Sequence, residues 1–245
     1  MSFYSMIEFF QKGGLFMYPI LIVFAVGVAI AFERWVQLNR TRTANEKMWS
    51  MLHPALVNGE FEKAREIVNE DKSSMARMLG MGLARQGAVR RRDDIEIAME
   101  ESMMEIIPQL EKRTPYVALL SNIATLLGLL GTIMGLIQAF TAVANANPAE
   151  KADLLSASIS VAMNTTAFGL IAAIPLLLFH AKLTSTTGQI VDSLEMASVK
   201  ALNSISDFSR RHIDTKSQLP DENMQVSNPK LQPGTSPEGS LMPGQ

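Results

Sequence analysis

Three long apolar runs, set apart by charged stretches with helical patterning, organise this chain. Residues 13–32 contain no Asp, Glu, Lys or Arg, and neither do residues 114–149 or 154–181. A helix rises about 1.5 Å per residue, so roughly 20 apolar residues span the hydrocarbon core of a bilayer. Each run holds a segment of that length. Between the second and third, residues 145–153 collect Asn, Pro and charged residues, which predicts a short turn and an antiparallel helix pair. The first run is read as a spanning helix rather than a secretory signal, because Glu8 and Lys12 precede it and Glu33 and Arg34 follow it.

The stretches around the runs also read as helical. Phe61, Ala64, Ile67 and Val68 repeat at helical spacing within residues 60–69, and Ile95, Ala98, Met99, Met103, Ile106, Ile107 and Leu110 do so within 94–113. Asp93 or Asp94 is the expected N-cap of the second stretch. Pro108 and Pro115 are expected to bend or end it near the membrane. After Asp214, prolines at 220, 229, 233, 237 and 243 lie among Ser, Gln, Asn and Gly, a composition that buries too little apolar surface to fold.

The expected fold class is an all-α integral membrane protein with three transmembrane helices extended by cytoplasmic helices. Residues 1–12 precede the first span at 13–36, and 37–113 form a cytoplasmic helical region. The second span is 114–144, a turn covers 145–156, and the third span is 157–182. A C-terminal helix at 183–213 and a disordered tail at 214–245 complete the chain.

Charge sets the expected orientation. The stretch 33–113 carries 14 of the 22 Lys and Arg, so the positive-inside rule puts it in the cytoplasm, the N-terminus and the 145–156 turn outside, and the C-terminus inside. Arg34, Lys112, Arg113 and Lys182 then fall at membrane interfaces beside lipid headgroups, near Tyr18, Trp35 and Tyr116. The run Arg90-Arg91-Arg92 reads as a solvated loop, with headgroup contact the lesser option.

Composition narrows the function classes. With no cysteine, disulfides, thiolate metal sites and cysteine nucleophiles are excluded. A net charge of -2 supplies no global basic field for nucleic acid. His53, His180 and His212 are scattered, without metal-ligand spacing. Phosphate-binding glycine loops and hydrolase motifs are missing. No enzymatic activity, catalytic residue, metal or cofactor is expected.

Candidate chemistry lies inside the second and third runs. On a helix, Ser121, Thr125, Gly128, Thr132, Gly135, Ala139 and Ala142 fall within about one-third of the circumference. Ser158, Ala162, Thr165, Thr166, Gly169, Ala173 and His180 share one side of the third helix. Such a stripe has two readings. One is close helix packing, for which Gly128, Gly131, Gly135 and Gly169 are candidates. The other is a lined path or a cavity for a partner helix. Asn164, Thr165 and Thr166 in succession are costly in mid-membrane unless they meet partners or water. With no charged residue inside any span, a titrating group for ion transport has to come from another polypeptide. His180 is expected to be a satisfied interfacial histidine.

Residues 111–140, EKRTPYVALLSNIATLLGLLGTIMGLIQAF, and residues 164–175, NTTAFGLIAAIP, resemble the second- and third-helix signatures of the ExbB/TolQ/MotA proton-channel family, ExbB-type biopolymer transport proteins above all. Tyr18-Pro19-Ile20 and Glu33-Arg34 resemble that family's first helix and its exit. The resemblance covers about residues 1–210. It implies a homopentamer around a central pore, and two copies of an ExbD/TolR-like single-span partner whose aspartate binds the proton. It further implies a TonB-like periplasm-spanning protein as the target, and the inner membrane of a Gram-negative bacterium as the location.

Thr132 and Thr166 match the family's pore-facing threonines, and Thr165, Asn164, Ser121 and Thr125 join them as pathway candidates. Val161 departs from the pattern, standing where these proteins commonly carry glutamate, so the route need not be fully ExbB-like. Asn164 is the nearest polar substitute. A TolQ-like envelope motor and a non-conducting scaffold of the same fold remain open. A flagellar stator is disfavoured, since those have four spans.

Overall fold

The computed structural model describes residues 14–86 and 92–217. Six helices occupy them: α1 Met17–Asn58, α2 Phe61–Glu70, α3 Ser74–Arg85, α4 Arg92–Glu111, α5 Thr114–Ala144 and α6 Lys151–Ser217. Three helical stretches are long and apolar enough to cross a membrane: Met17–Asn58, Arg92–Ala144 and Lys151–Phe208. By its contacts the chain forms two units, Met1–Ser206 and Asp207–Gln245. The second is helical over its described residues, 207–217. The N-terminal segment 1–12, Arg90 and Arg91, and most of the expected 214–245 tail lie outside the described residues.

Helix α1 has 42 residues, about 63 Å of rise and twice the thickness of a hydrocarbon core. It therefore continues as one rod well past the expected span at 13–36. It ends at Gly59, whose φ of 74° is left-handed. The Glu60 N–H donates to the Ala55 carbonyl at 2.9 Å, closing the terminus. Ser73 caps the N-terminus of α3, its hydroxyl accepting from the Ala76 N–H at 3.2 Å. Asn45 of α1 also reaches α3, its Oδ1 accepting from the Met75 N–H at 3.2 Å.

The break between α4 and α5 falls at Arg113, where φ is 68°. Pro115 opens the first turn of α5, where its missing N–H does no harm. Pro108 lies inside α4. Asp93 and Asp94 sit in the first turn of α4. They are thus inside the helix rather than capping it, and favour its N-terminus through the helix dipole. Helix α6 starts at Lys151, within the stretch expected as the turn, and runs through residue 182 without interruption.

The packing changes character along the molecule. One cluster joins Leu38, Met48, Leu52 and Leu56 of α1 to Leu79 and Leu83 of α3, Met99 and Ile106 of α4, and Leu183, Ile190 and Leu194 of α6. Large apolar side chains dominate it, as burial from water rewards them. On α6, Leu176, Leu183, Ile190 and Ala197 recur every seven residues. Toward the 145–150 turn a second cluster is built from Ile20, Ala124, Ala172 and Ala173. Small residues suit that level, because lipid removes the gain from burying bulk and leaves backbone approach to hold helices together. Leu126, Ile133, Phe140, Ile171 and Leu178 are exposed there, as lipid or another chain requires.

Candidate functional site: a threonine pair at the rim of a glycine seam

Helices α5 and α6 meet along their small-residue stripes. A methyl group on Gly128 would lie 3.2 Å from the Gly169 Cα, and one on Gly135 would lie 2.7 Å from the Ala162 Cβ. Gly131 is packed by the Thr165 side chain. All four glycines expected to pack, Gly128, Gly131, Gly135 and Gly169, stand in this seam.

The close approach brings Thr132 and Thr166 together. Their hydroxyl oxygens are 2.7 Å apart. Thr166 Oγ1 lies 2.8 Å from the Gly128 carbonyl oxygen, and Thr132 Oγ1 lies 2.9 Å from that of Leu129. The pair has two protons and therefore two satisfied arrangements. In one, Thr132 donates to Thr166 and Thr166 to Gly128. In the other, Thr166 donates to Thr132 and Thr132 to Leu129. Hydroxyls rotate freely enough to exchange them. Both side chains are half-buried at the rim of the seam, beside exposed Leu129, Met163 and Leu170.

The other pathway candidates divide. Ser121 and Thr165 are only 1% and 2% exposed, which corrects their expected place on an open path. Ser121 donates to the Ala173 carbonyl at 2.8 Å, and Thr165 to that of Val161 at 3.0 Å. Each fills the seam that the glycines open. Thr125 is exposed and donates to the Ser121 carbonyl at 3.2 Å. Asn164 is half-buried. Val161 shares a face with Thr165, and a methyl group on Gly14 would lie 3.2 Å from its Cγ1. It lies five residues and so about 140° around the helix from Thr166.

The interface cations are also distinguished. Lys112, Arg113 and Lys182 are exposed. Arg34 is 2% exposed, which corrects its expected headgroup position. Its guanidinium donates to the Leu110 carbonyl at the end of α4, and to Gln37 Oε1 at 2.7 Å. The adjacent Glu33 pairs with Arg113 at 2.6 Å. These two ties hold the α4–α5 break against α1. Sequence reasoning missed them, since an arginine after an apolar run looks the same whether it meets lipid or a helix end.

Residues 70–196, about half the chain, match the family described as MotA/TolQ/ExbB proton channel family. The chain belongs to that family. A protein named ExbB-like, from Synechocystis sp., is 30% identical over 175 residues, covering 69% of this chain and 80% of its own. One named an ExbB homologue, from Methanothermobacter thermautotrophicus, is 24% identical over 196 residues, covering 79% and 68%. The TolQ protein of Haemophilus influenzae is 35% identical over 86 residues, covering 35% and 37%.

The solved structure of C. jejuni MotAB shares the fold, with a TM-score of 0.56 at 16% identity and coverage of 89% and 88%. The matched stretch of the MotA/TolQ/ExbB family contains the whole glycine seam and the threonine pair. This member is a multi-pass membrane protein of a proton-channel and stator-like family.

Proposed function

We propose that this chain is the channel-forming subunit of an inner-membrane motor driven by proton-motive force. It has no chemistry of its own to catalyse. Five copies surround a central pore, which holds two copies of an ExbD/TolR-like single-span partner. The N-terminus is periplasmic and the C-terminus cytoplasmic. The carrying observation is the Thr132–Thr166 pair, half-buried at the edge of a span segment otherwise lined by small and apolar residues.

A partner aspartate crossing that surface in its charged form needs donors, and in its protonated form an acceptor. Each hydroxyl keeps a lone pair that accepts from the protonated acid, and by turning its proton away from the carbonyl that holds it can donate to the carboxylate. A charge left without such partners in hydrocarbon is expensive, so hydroxyls here set where the proton can be released. Turning of the partner within the ring would then pass force to a TonB-like periplasm-spanning protein.

A TolQ-like envelope task follows from the same geometry, as the relatives include both kinds. A scaffold without conduction is the reading from a different class, and Val161 is the residue that keeps it in play. The ion taken here is H⁺, with Na⁺ the alternative.

The test is native mass spectrometry of the chain co-expressed with its aspartate-bearing partner, followed by ion flux into liposomes. Five copies with two partners are expected, together with proton flux that Thr166→Val abolishes and Thr166→Ser retains. A ring that never holds the partner, or flux indifferent to Thr166→Val, would remove the reading.

A further inference from the structure

A crevice of about 470 Å³ opens at the end of the α5–α6 pair remote from the 145–150 turn. Its origin is the break at Arg113. Helix α6 passes the break without interruption, whereas α4 ends at Glu111 and α5 starts at Thr114. One continuous helix beside an interrupted one leaves a gap. Glu111 and Thr114 line one side, and His180, Thr187, Gly188 and Asp192 of α6 line the other.

The chemistry of this gap is unlike that of the seam. Thr114 and Thr187 are each 5% exposed, and their hydroxyl oxygens are buried without a hydrogen-bond partner. Buried polar groups are ordinarily satisfied by protein or water, and the volume accommodates on the order of ten water molecules. His180 is half-buried on the α6 side of this space, where water in the crevice would satisfy its imidazole.

The titratable groups lining the space are Glu111 on α4 and His180 and Asp192 on α6. No Lys or Arg lines it. Arg113 is engaged with Glu33, and Lys112 and Lys182 are exposed outside it. Among the described residues no three His, Asp or Glu converge as metal ligands.

Fourteen residues separate Thr166 from His180, about 21 Å along α6. We infer that this crevice is a water-filled port by which protons leave the span, with His180 as the group that takes each proton before bulk water does. The inference rests on the conducting reading above. Water in the crevice hands a proton to the neutral imidazole, which becomes imidazolium and then returns the proton to solution. Histidine is the side chain whose charge changes in the pH range of a cell interior. The Glu111 and Asp192 carboxylates put negative rather than positive charge on the route.

The absence of native cysteine permits a direct test. A Cβ on Gly188 meets nothing within 4 Å, so Gly188→Cys fits. In the full complex with its partner, a membrane-impermeant maleimide is expected to label it as fast as Lys182→Cys. Protection of Gly188→Cys while Lys182→Cys reacts would overturn the port, because a neighbouring copy or lipid then fills the crevice.

Liposome flux is next measured with the port side varied from about pH 5.5 to about 8. His180→Gln is expected to flatten the dependence on port-side pH while leaving that on the opposite side, and Gly188→Leu to reduce flux severalfold. Wild-type flux profiles in both variants would overturn the port and spare the conducting reading. Labelled Gly188→Cys with no wild-type flux at any pH would overturn the conducting reading, and the port with it.

Discussion

Gly128 and Gly169 touch backbone to backbone: a methyl group on Gly169 would lie 2.9 Å from the Gly128 Cα and 2.8 Å from the Ala124 carbonyl oxygen. No flexible side chain stands there to give way. Gly169→Ala is therefore expected to push α5 and α6 apart, destabilising the protein by about 1–3 kcal/mol as overpacking does. Gly188→Ala, with open space around its Cβ, should be neutral or stabilise by up to about 1 kcal/mol through helix propensity. Thermal unfolding in detergent compares them. Equal effects would show that the seam does not set the helix spacing.

The hydroxyls of Thr132 and Thr166 are predicted to be coupled. In a double-mutant cycle of Thr132→Val and Thr166→Val, the stability losses should fail to add by about 1 kcal/mol, as for residues that share a hydrogen bond. Additive losses would mean that each hydroxyl is held by its own carbonyl alone.

Arg34 and Glu33 are neighbours in sequence and differ in environment. Losing the buried Arg34 bond to the Leu110 carbonyl by Arg34→Ala should cost about 2 kcal/mol. Losing the exposed Glu33–Arg113 pair by Glu33→Gln should cost less than about 1 kcal/mol. Added salt should erase the second difference and spare the first. Unfolding midpoints at low and high ionic strength check the order.

Gly59 ends α1 in a left-handed conformation. Gly59→Ala should destabilise by about 1–2 kcal/mol through the clash of its Cβ with the following carbonyl. Gly80, where a methyl group would meet Val68 Cγ2 at an ordinary 3.7 Å, is the contrast. If Gly80→Ala proved the worse of the two by denaturant unfolding, the cap at Gly59 would not be limiting.

Run length and charge were sufficient for the three spanning helices, since backbone in hydrocarbon must close its hydrogen bonds within a helix and needs only enough apolar residues to do so. Helical period was likewise enough to put Thr132, Thr166 and the glycines on stripes, and family signatures pointed to the pair. Periodicity reports the angle of a residue around its helix and says nothing of how far one helix slides along another.

That axial register is set by the backbone contacts at Gly128, Gly135 and Gly169. It decides that Thr132 meets Thr166, while Ser121 and Thr165, on the same stripes, are sealed into the seam. The burial of Arg34 and the crevice at Thr114 and Thr187 depend on the left-handed turn at Arg113, a non-glycine residue in a region that local sterics disfavour. Pro115 marked a break near this point in advance, but the left-handed conformation of Arg113 itself comes from the packing of the helices around it, which no local pattern reports.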